Sequence, residues 1–183
     1  MSKSLVKILD FSVLPAAVLV VAKLLGILLV INIFNIAWSI RDYTGSIFAV
    51  TTVLNHDDVI TVTAYSDLFM FVIIAIFFSG AVFRTIFLHS SHASEKVILS
   101  LAKRNLLNLL KDSYTVYTQA SAWWIFMLLT NVIVWVNYLT GKSFLWIGIS
   151  VTFTTILLTL ILVVDVFREI EHIRKHPSKY QWS

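Results

Sequence analysis

Apolar residues in this chain fall into four long unbroken runs, Leu14–Ile40, Leu68–Leu88, Ala120–Leu139 and Phe144–Val164. Each is about 20 residues or longer, the length an α-helix needs to cross roughly 30 Å of hydrocarbon. The runs predict an all-α membrane protein, a four-transmembrane-helix bundle with spans near 14–40, 66–90, 118–139 and 143–166. Little sequence remains for a soluble domain, so residues 1–183 read as one integral membrane domain.

The polar segments between the runs carry patterns of their own. Ile47–Leu54 and Val59–Tyr65 are rich in Val, Ile and Thr and flank Asn55-His56-Asp57-Asp58. In the second arm Ile60, Val62 and Ala64 alternate with Thr61, Thr63 and Tyr65. Alternation around a polar turn predicts an extracytoplasmic β-hairpin over 46–65, between the first and second spans. Between the second and third spans, Ile98, Leu101, Ala102, Leu106 and Leu109 form one stripe at helical spacing. Lys96, Ser100, Lys103, Asn108 and Lys111 form much of the other face. This predicts a cytoplasmic amphipathic helix over 94–112, lying at the headgroups or docked on the bundle. Ser4–Leu14 reads as a segment on the membrane surface, with Pro15 marking a bend or the first turn of the span.

Composition supports the membrane reading. The 183 residues are 58% hydrophobic and 13% charged, against about 25% charged in an ordinary soluble domain. The charges sort by side. The segment Arg41–Asp67 holds one Arg against Asp42, Asp57, Asp58 and Asp67. The N-terminal tail, the segment after the second run and the C-terminal tail are basic, with Lys3, Lys7, Lys96, Lys103, Arg104, Lys111, Arg168, Arg174, Lys175 and Lys179. Lys and Arg are retained on the cytoplasmic side, so both termini are expected inside, which four spans allow. Trp38, Trp135, Tyr138 and Trp146 mark an outer aromatic belt, and Tyr114, Tyr117, Trp123 and Trp124 an inner one. The apolar start is too long for a signal peptide and the loops are short, which fits a prokaryotic plasma membrane. Basic residues that flank spans are topology signals, so the net charge of +4 implies no nucleic-acid partner.

Polar groups inside the runs are the places to look for function. Counting back about 20 residues from Trp38 puts Lys23 roughly one turn inside the inner boundary. There it can snorkel, and Arg84 and Asp165 end the second and fourth spans at the same side. The three are expected to form an inner-interface cluster. Asn32, Asn35 and Asn131 are expected to hydrogen-bond between helices. Small residues predict packing faces: Ala22 with Gly26, Ala75 with Ser79, and the stripe Gly148, Thr152, Thr155 and Thr159.

Catalytic signatures are sparse. The chain has no cysteine and five glycines, and holds no phosphate loop, Gly-x-Ser-x-Gly or His-Glu-x-x-His. His89 with His92, and His172 with His176, are the weak candidates for a metal site on the cytoplasmic face. No cofactor is expected. The leading expectation is a non-catalytic structural or assembly subunit. Its partners would be the lipid bilayer and copies of itself or other membrane subunits, reached through helix packing and the outer hairpin. The alternatives are a small homo-oligomeric channel or transporter lined by the Thr stripe and Asn131, and a membrane metalloenzyme using the histidine pairs.

Overall fold

The computed structural model describes residues 3–39, 52–53, 56–87, 103 and 113–175. It is all-helical in its main elements: α1 (Lys3–Ile33), α2 (His56–Phe87), α3 (Ser113–Leu139) and α4 (Leu145–Lys175). All four are long and apolar enough to cross a membrane. Two two-residue stretches, β1 (Trp38–Ser39) and β2 (Thr52–Val53), pair antiparallel beside the α1–α2 connection.

The second arm of the expected hairpin is helix. Val59–Tyr65 lies inside α2, which starts at His56. The alternation of Ile60, Val62 and Ala64 is real, but neither Gly nor Pro separates it from the apolar run that follows. Once the run forms a helix, each preceding residue adds one backbone bond without a new nucleus. Asp57 and Asp58 then stand in the first turn, where carboxylates complement the positive end of the helix dipole. Asp and Asn suit turns and helix starts equally, which is why the segment misleads. Of the expected hairpin span 46–65, residues 46–51, 54 and 55 lie outside the described residues. So does the expected inner helix 94–112, save Lys103, which is exposed.

Two helix ends are set by backbone chemistry. Asn35 adopts φ 50°, and Ile36 N–H donates to Ile31 C=O at 3.0 Å while Asn35 N–H reaches Asn32 C=O at 3.4 Å. This is a Schellman cap, for which asparagine is the common substitute for glycine. It ends the first span at Ile33, well before Ile40. Gly141, at φ +72°, closes α3 the same way, with Lys142 N–H on Asn137 C=O at 2.7 Å and Gly141 N–H on Tyr138 C=O at 2.9 Å. The chain reverses at once into α4. At the other end of the first span, α1 is helical on both sides of Pro15, so Ser4–Leu14 continues the helix. A proline removes one main-chain bond, and the helical segments on either side carry the element through.

The bundle is built around α2 and α3. α1 packs on one flank of this pair and α4 on the other. Phe71, Ile74 and Phe78 of α2 meet Trp123, Met127 and Val134 of α3, with Ile147, Val151 and Leu162 of α4 completing the core. A second cluster joins Val30, Ile31 and Ile36 to Val62 of α2. Large apolar residues also cover the outside: Leu24, Leu25 and Leu28 on α1, Phe153, Ile156 and Leu160 on α4. Helices apolar on every face belong in hydrocarbon.

Close approach of α1 to α2 depends on Gly26. A Cβ there would lie 3.0 Å from Ser66 O and 3.1 Å from Ser66 Cα, both main-chain atoms. Gly80, also helical, has nothing within 4 Å of the same position. Gly26→Ala is expected to push α1 off α2 and cost about 1–3 kcal/mol, as overpacking does. Gly80→Ala is expected to stabilise by up to about 1 kcal/mol through helix propensity. Unfolding in mixed micelles, followed by circular dichroism, checks both signs.

Candidate functional site

The most polar point in the bundle is formed by three helices. The Lys23 ammonium of α1 forms a salt bridge with Asp67 Oδ1 of α2. Lys23 also donates to Ser66 Oγ at 2.7 Å and to Thr63 C=O at 3.5 Å. Ser66 Oγ in turn donates to Thr63 C=O at 3.0 Å. From α3, Asn137 Nδ2 donates to Asp67 Oδ2 at 2.6 Å. The Asp67 side chain is fully buried and that of Lys23 is 15% exposed. Both carboxylate oxygens and the ammonium have partners, which is what a buried pair needs to persist. Gly26, one turn along α1 from Lys23, sets the closeness of α1 to Ser66 that allows this reach.

The arrangement separates the expected trio of Lys23, Arg84 and Asp165. Lys23 meets Asp67, and Asp67 and Arg84 are 17 residues apart on α2, about 25 Å along a helix. Arg84 Nη1 donates to Gln119 Oε1 at 3.4 Å, and Asp165 Oδ2 accepts the Tyr117 hydroxyl at 3.0 Å. The expectation fails on depth. Asp67 and Asn137 hold Lys23 near the α3–α4 turn, whereas Arg84 and Asp165 stand at the other end of the bundle, beside Gln119 and Tyr117 near the start of α3. A signal for the true partner is present in the chain: a lone lysine within an apolar run requires a counter-ion, and Asp67 directly precedes the second run. Asn137, four residues from Gly141, gave no such signal.

Between α3 and α4 the polar contacts form a ladder. Trp135 Nε1 donates to Thr152 Oγ1 at 2.8 Å, and Thr152 Oγ1 donates to Asn131 Oδ1 at 3.2 Å. Trp124 Nε1 donates to Thr159 Oγ1 at 3.0 Å, and the Tyr117–Asp165 bond closes the series. Gly148 lies under the Trp135 ring, where a Cβ would stand 3.4 Å from its carbons. Thr155, buried, bonds back to Val151 C=O at 2.8 Å. The small stripe of the fourth span therefore packs inside its own chain. Indole N–H groups need an acceptor in an apolar interior, and a threonine provides one without preventing close packing.

Other expected residues divide. Ala22 is buried and, with Gly26, faces α2. Ala75 and Ser79 line an open groove between α2 and α4. Asn131 is interhelical. Asn32 is not: its amide donates to Leu28 C=O of its own helix at 2.9 Å. Asn35 is the cap of α1. A side chain one turn from a helix end competes for main-chain partners, and that local chemistry wins at both positions. His89, His92 and His176 lie outside the described residues, and His172 stands in α4. Among the described residues, no three metal-ligating side chains converge.

The Lys23–Asp67 pair yields a double-mutant test. Asp67→Leu alone leaves a buried ammonium and is expected to cost about 3–5 kcal/mol. Lys23→Met alone leaves a buried carboxylate with only Asn137 and should cost a similar amount. The double variant removes both charges and is expected to recover most of the loss, which unfolding in micelles would show as strong non-additivity. Comparison of the chain with protein families, with curated proteins and with solved structures gives no match.

Proposed function

We propose that this chain is a non-catalytic, multi-pass assembly subunit of a prokaryotic plasma membrane. It associates with copies of itself or with other membrane subunits, and both termini are cytoplasmic. The sorting of Lys and Arg supports the orientation. The assembly reading rests on one geometric observation. Gly26 lies against Ser66 and Asp67 holds Asn137, so these positions share a level just inside the α3–α4 turn. Tyr65 confirms that level, its ring 6.1 Å from Phe144 and 6.3 Å from Trp146. Ile27–Ile33 of α1 therefore extends about 10 Å beyond the Gly26 level, where the Phe34 ring meets that of Tyr65 at 5.4 Å, and the first ten residues of α2 extend about 15 Å beyond the Ser66 level.

Among the described residues, the end of α1 keeps large apolar side chains exposed. Ile33 is 68% exposed, Phe34 51% and Leu28 48%. They lie along the last two turns of α1 and its cap, at the same end of the bundle as Lys142, which is exposed on the α3–α4 turn. Exposed apolar side chains grouped in one patch mark a contact surface. Val62 covers one side of the tip, against Val30 and Ile31. The other side is the proposed seat of a partner helix. Contact of this kind replaces the expected hairpin edge, because the second arm of that hairpin is helical. The threonine stripe and Asn131 are engaged within the chain, which removes the polar lining on which the channel reading drew.

The absence of native cysteine makes a direct test available. Single-cysteine variants at Leu28 and Ile33, oxidised in native membranes, are expected to form covalent dimers or larger species. Val136→Cys, exposed on α3 but away from the tip, is the control and should stay monomeric. Mass photometry of the cysteine-free protein in nanodiscs should show more than one copy per disc. A monomer by both measurements overturns self-association.

A further inference from the structure

The groove between α2 and α4 has a direction and a charged end. Its upper part, about 450 Å3, is lined on α2 by Leu68, Val72, Ala75 and Ser79, and on α4 by Ser150, Thr154 and Leu157. A second cavity of about 320 Å3 lies between Ile86 of α2 and Ile161, Val164 and Arg168 of α4. On α4 these positions step by four and three residues alternately, so both cavities share one helix stripe. Positions 68, 72, 75, 79 and 86 do the same on α2. The two cavities are segments of one crevice. From Ser150 to Arg168 it runs about 27 Å, close to the roughly 30 Å thickness of the hydrocarbon core.

Two hydroxyls along the crevice are engaged within α4, and the far cavity is lined by Asp165 as well as Arg168. Ser150 Oγ donates to Trp146 C=O at 2.8 Å and Thr154 Oγ1 to Ser150 C=O at 2.9 Å. Their hydroxyls ask nothing of an occupant, and the interior suits a saturated chain. At the far end Arg168 is exposed. It lies three residues past Asp165, which is held by Tyr117 near the start of α3, so Arg168 stands at the end of the bundle, at headgroup depth. Asp165, also at this end, accepts the Tyr117 hydroxyl from the bundle side, and Glu169 is buried. An exposed guanidinium above an apolar crevice matches a molecule with a phosphate head and an alkyl tail. A guanidinium binds phosphate oxygens in bidentate fashion.

We propose that the α2–α4 crevice is a binding site for an anionic phospholipid, its phosphate on Arg168 and one acyl chain along Val164, Ile161 and Leu157. A chain in one leaflet extends about half the hydrocarbon thickness, or about 15 Å, which ten residues of α4 match. The site is distinct from the α1 tip, so it stands whether or not the chain self-associates there.

Native mass spectrometry of protein released from nanodiscs holding equal phosphatidylglycerol and phosphatidylcholine tests the proposal. The wild type should retain phosphatidylglycerol at least fivefold over phosphatidylcholine. Arg168→Gln should bring the ratio near one, and Ile161→Trp, which fills the crevice, should reduce retention of both lipids. Both residues are exposed, and an unchanged melting temperature would show that the fold survives. Millimolar inorganic phosphate should not displace the lipid, because it offers no chain to the crevice. An unchanged lipid ratio in Arg168→Gln overturns the proposal. So does efficient disulfide linking of Leu157→Cys between copies, which would mean that a second chain fills the crevice.

Discussion

A carboxylate cannot be left alone in a hydrocarbon interior, and the position of Asp67 makes that requirement organise this bundle. It is buried where three helices meet: α1 brings it the Lys23 ammonium, α3 the Asn137 amide, and its own α2 brings Ser66, which accepts from Lys23. The pair adds little net stability against an apolar alternative, since desolvation of both ions offsets their attraction. What it fixes is register. Lys23 satisfies Asp67 at only one height of α1, and Gly26 gives α1 a single close seat at that height.

The opposite flank is held by different means. α4 meets α3 through single hydrogen bonds spread along its length, from Trp135 and Trp124 to threonines and from Tyr117 to the Asp165 carboxylate, each from an aromatic polar tip to a smaller acceptor. Interhelical bonds of this kind contribute roughly 0.6 kcal/mol apiece, so no single one decides the position of α4. The ladder distributes the specification that the ion pair concentrates. The middle pair, α2 and α3, adds an apolar interlock of Phe71, Ile74 and Phe78 with Met127, Val134 and the Trp123 ring to the Asn137–Asp67 and Arg84–Gln119 bonds. Phe77 also stacks on Trp123, with centroids 4.9 Å apart and planes 6° off parallel.

How much of this was legible follows from what each signal measures. The four spans are composition over a length, and unbroken runs state them directly. Gly26 and the threonine stripe were legible as packing faces, because small residues at helical spacing have few other uses in a membrane. The hairpin was misread at Val59–Tyr65, since an alternation of seven residues cannot outweigh an adjoining run that propagates as helix. Asn35 was misread because its amide suggested a partner helix while its tolerance of positive φ determined its role. Lys23 was noticed but assigned to the wrong depth, through a boundary drawn at Trp38. Pairing it with Asp67 required knowing which helices touch, and periodicity within one segment carries no such information.

The same register explains why the bundle is uneven at one end. To bring Ile33 to the level of Ser66, where Gly26 lies, α1 would have to slide about two turns toward its N-terminus. That slide would part Lys23 from Asp67 and carry Gly26 away from Ser66. Separating a buried pair costs about 3–5 kcal/mol. Leaving large apolar side chains such as Ile33, Phe34 and Leu28 in water costs about 1.5–3 kcal/mol each relative to burial. The two costs are of similar size, so the ion pair can hold the raised position of α1 only where something removes the tip from water. The proposed contact surface at that tip would favour the Lys23–Asp67 register, and the buried charge and the exposed apolar side chains at the end of α1 are two consequences of one placement of α1.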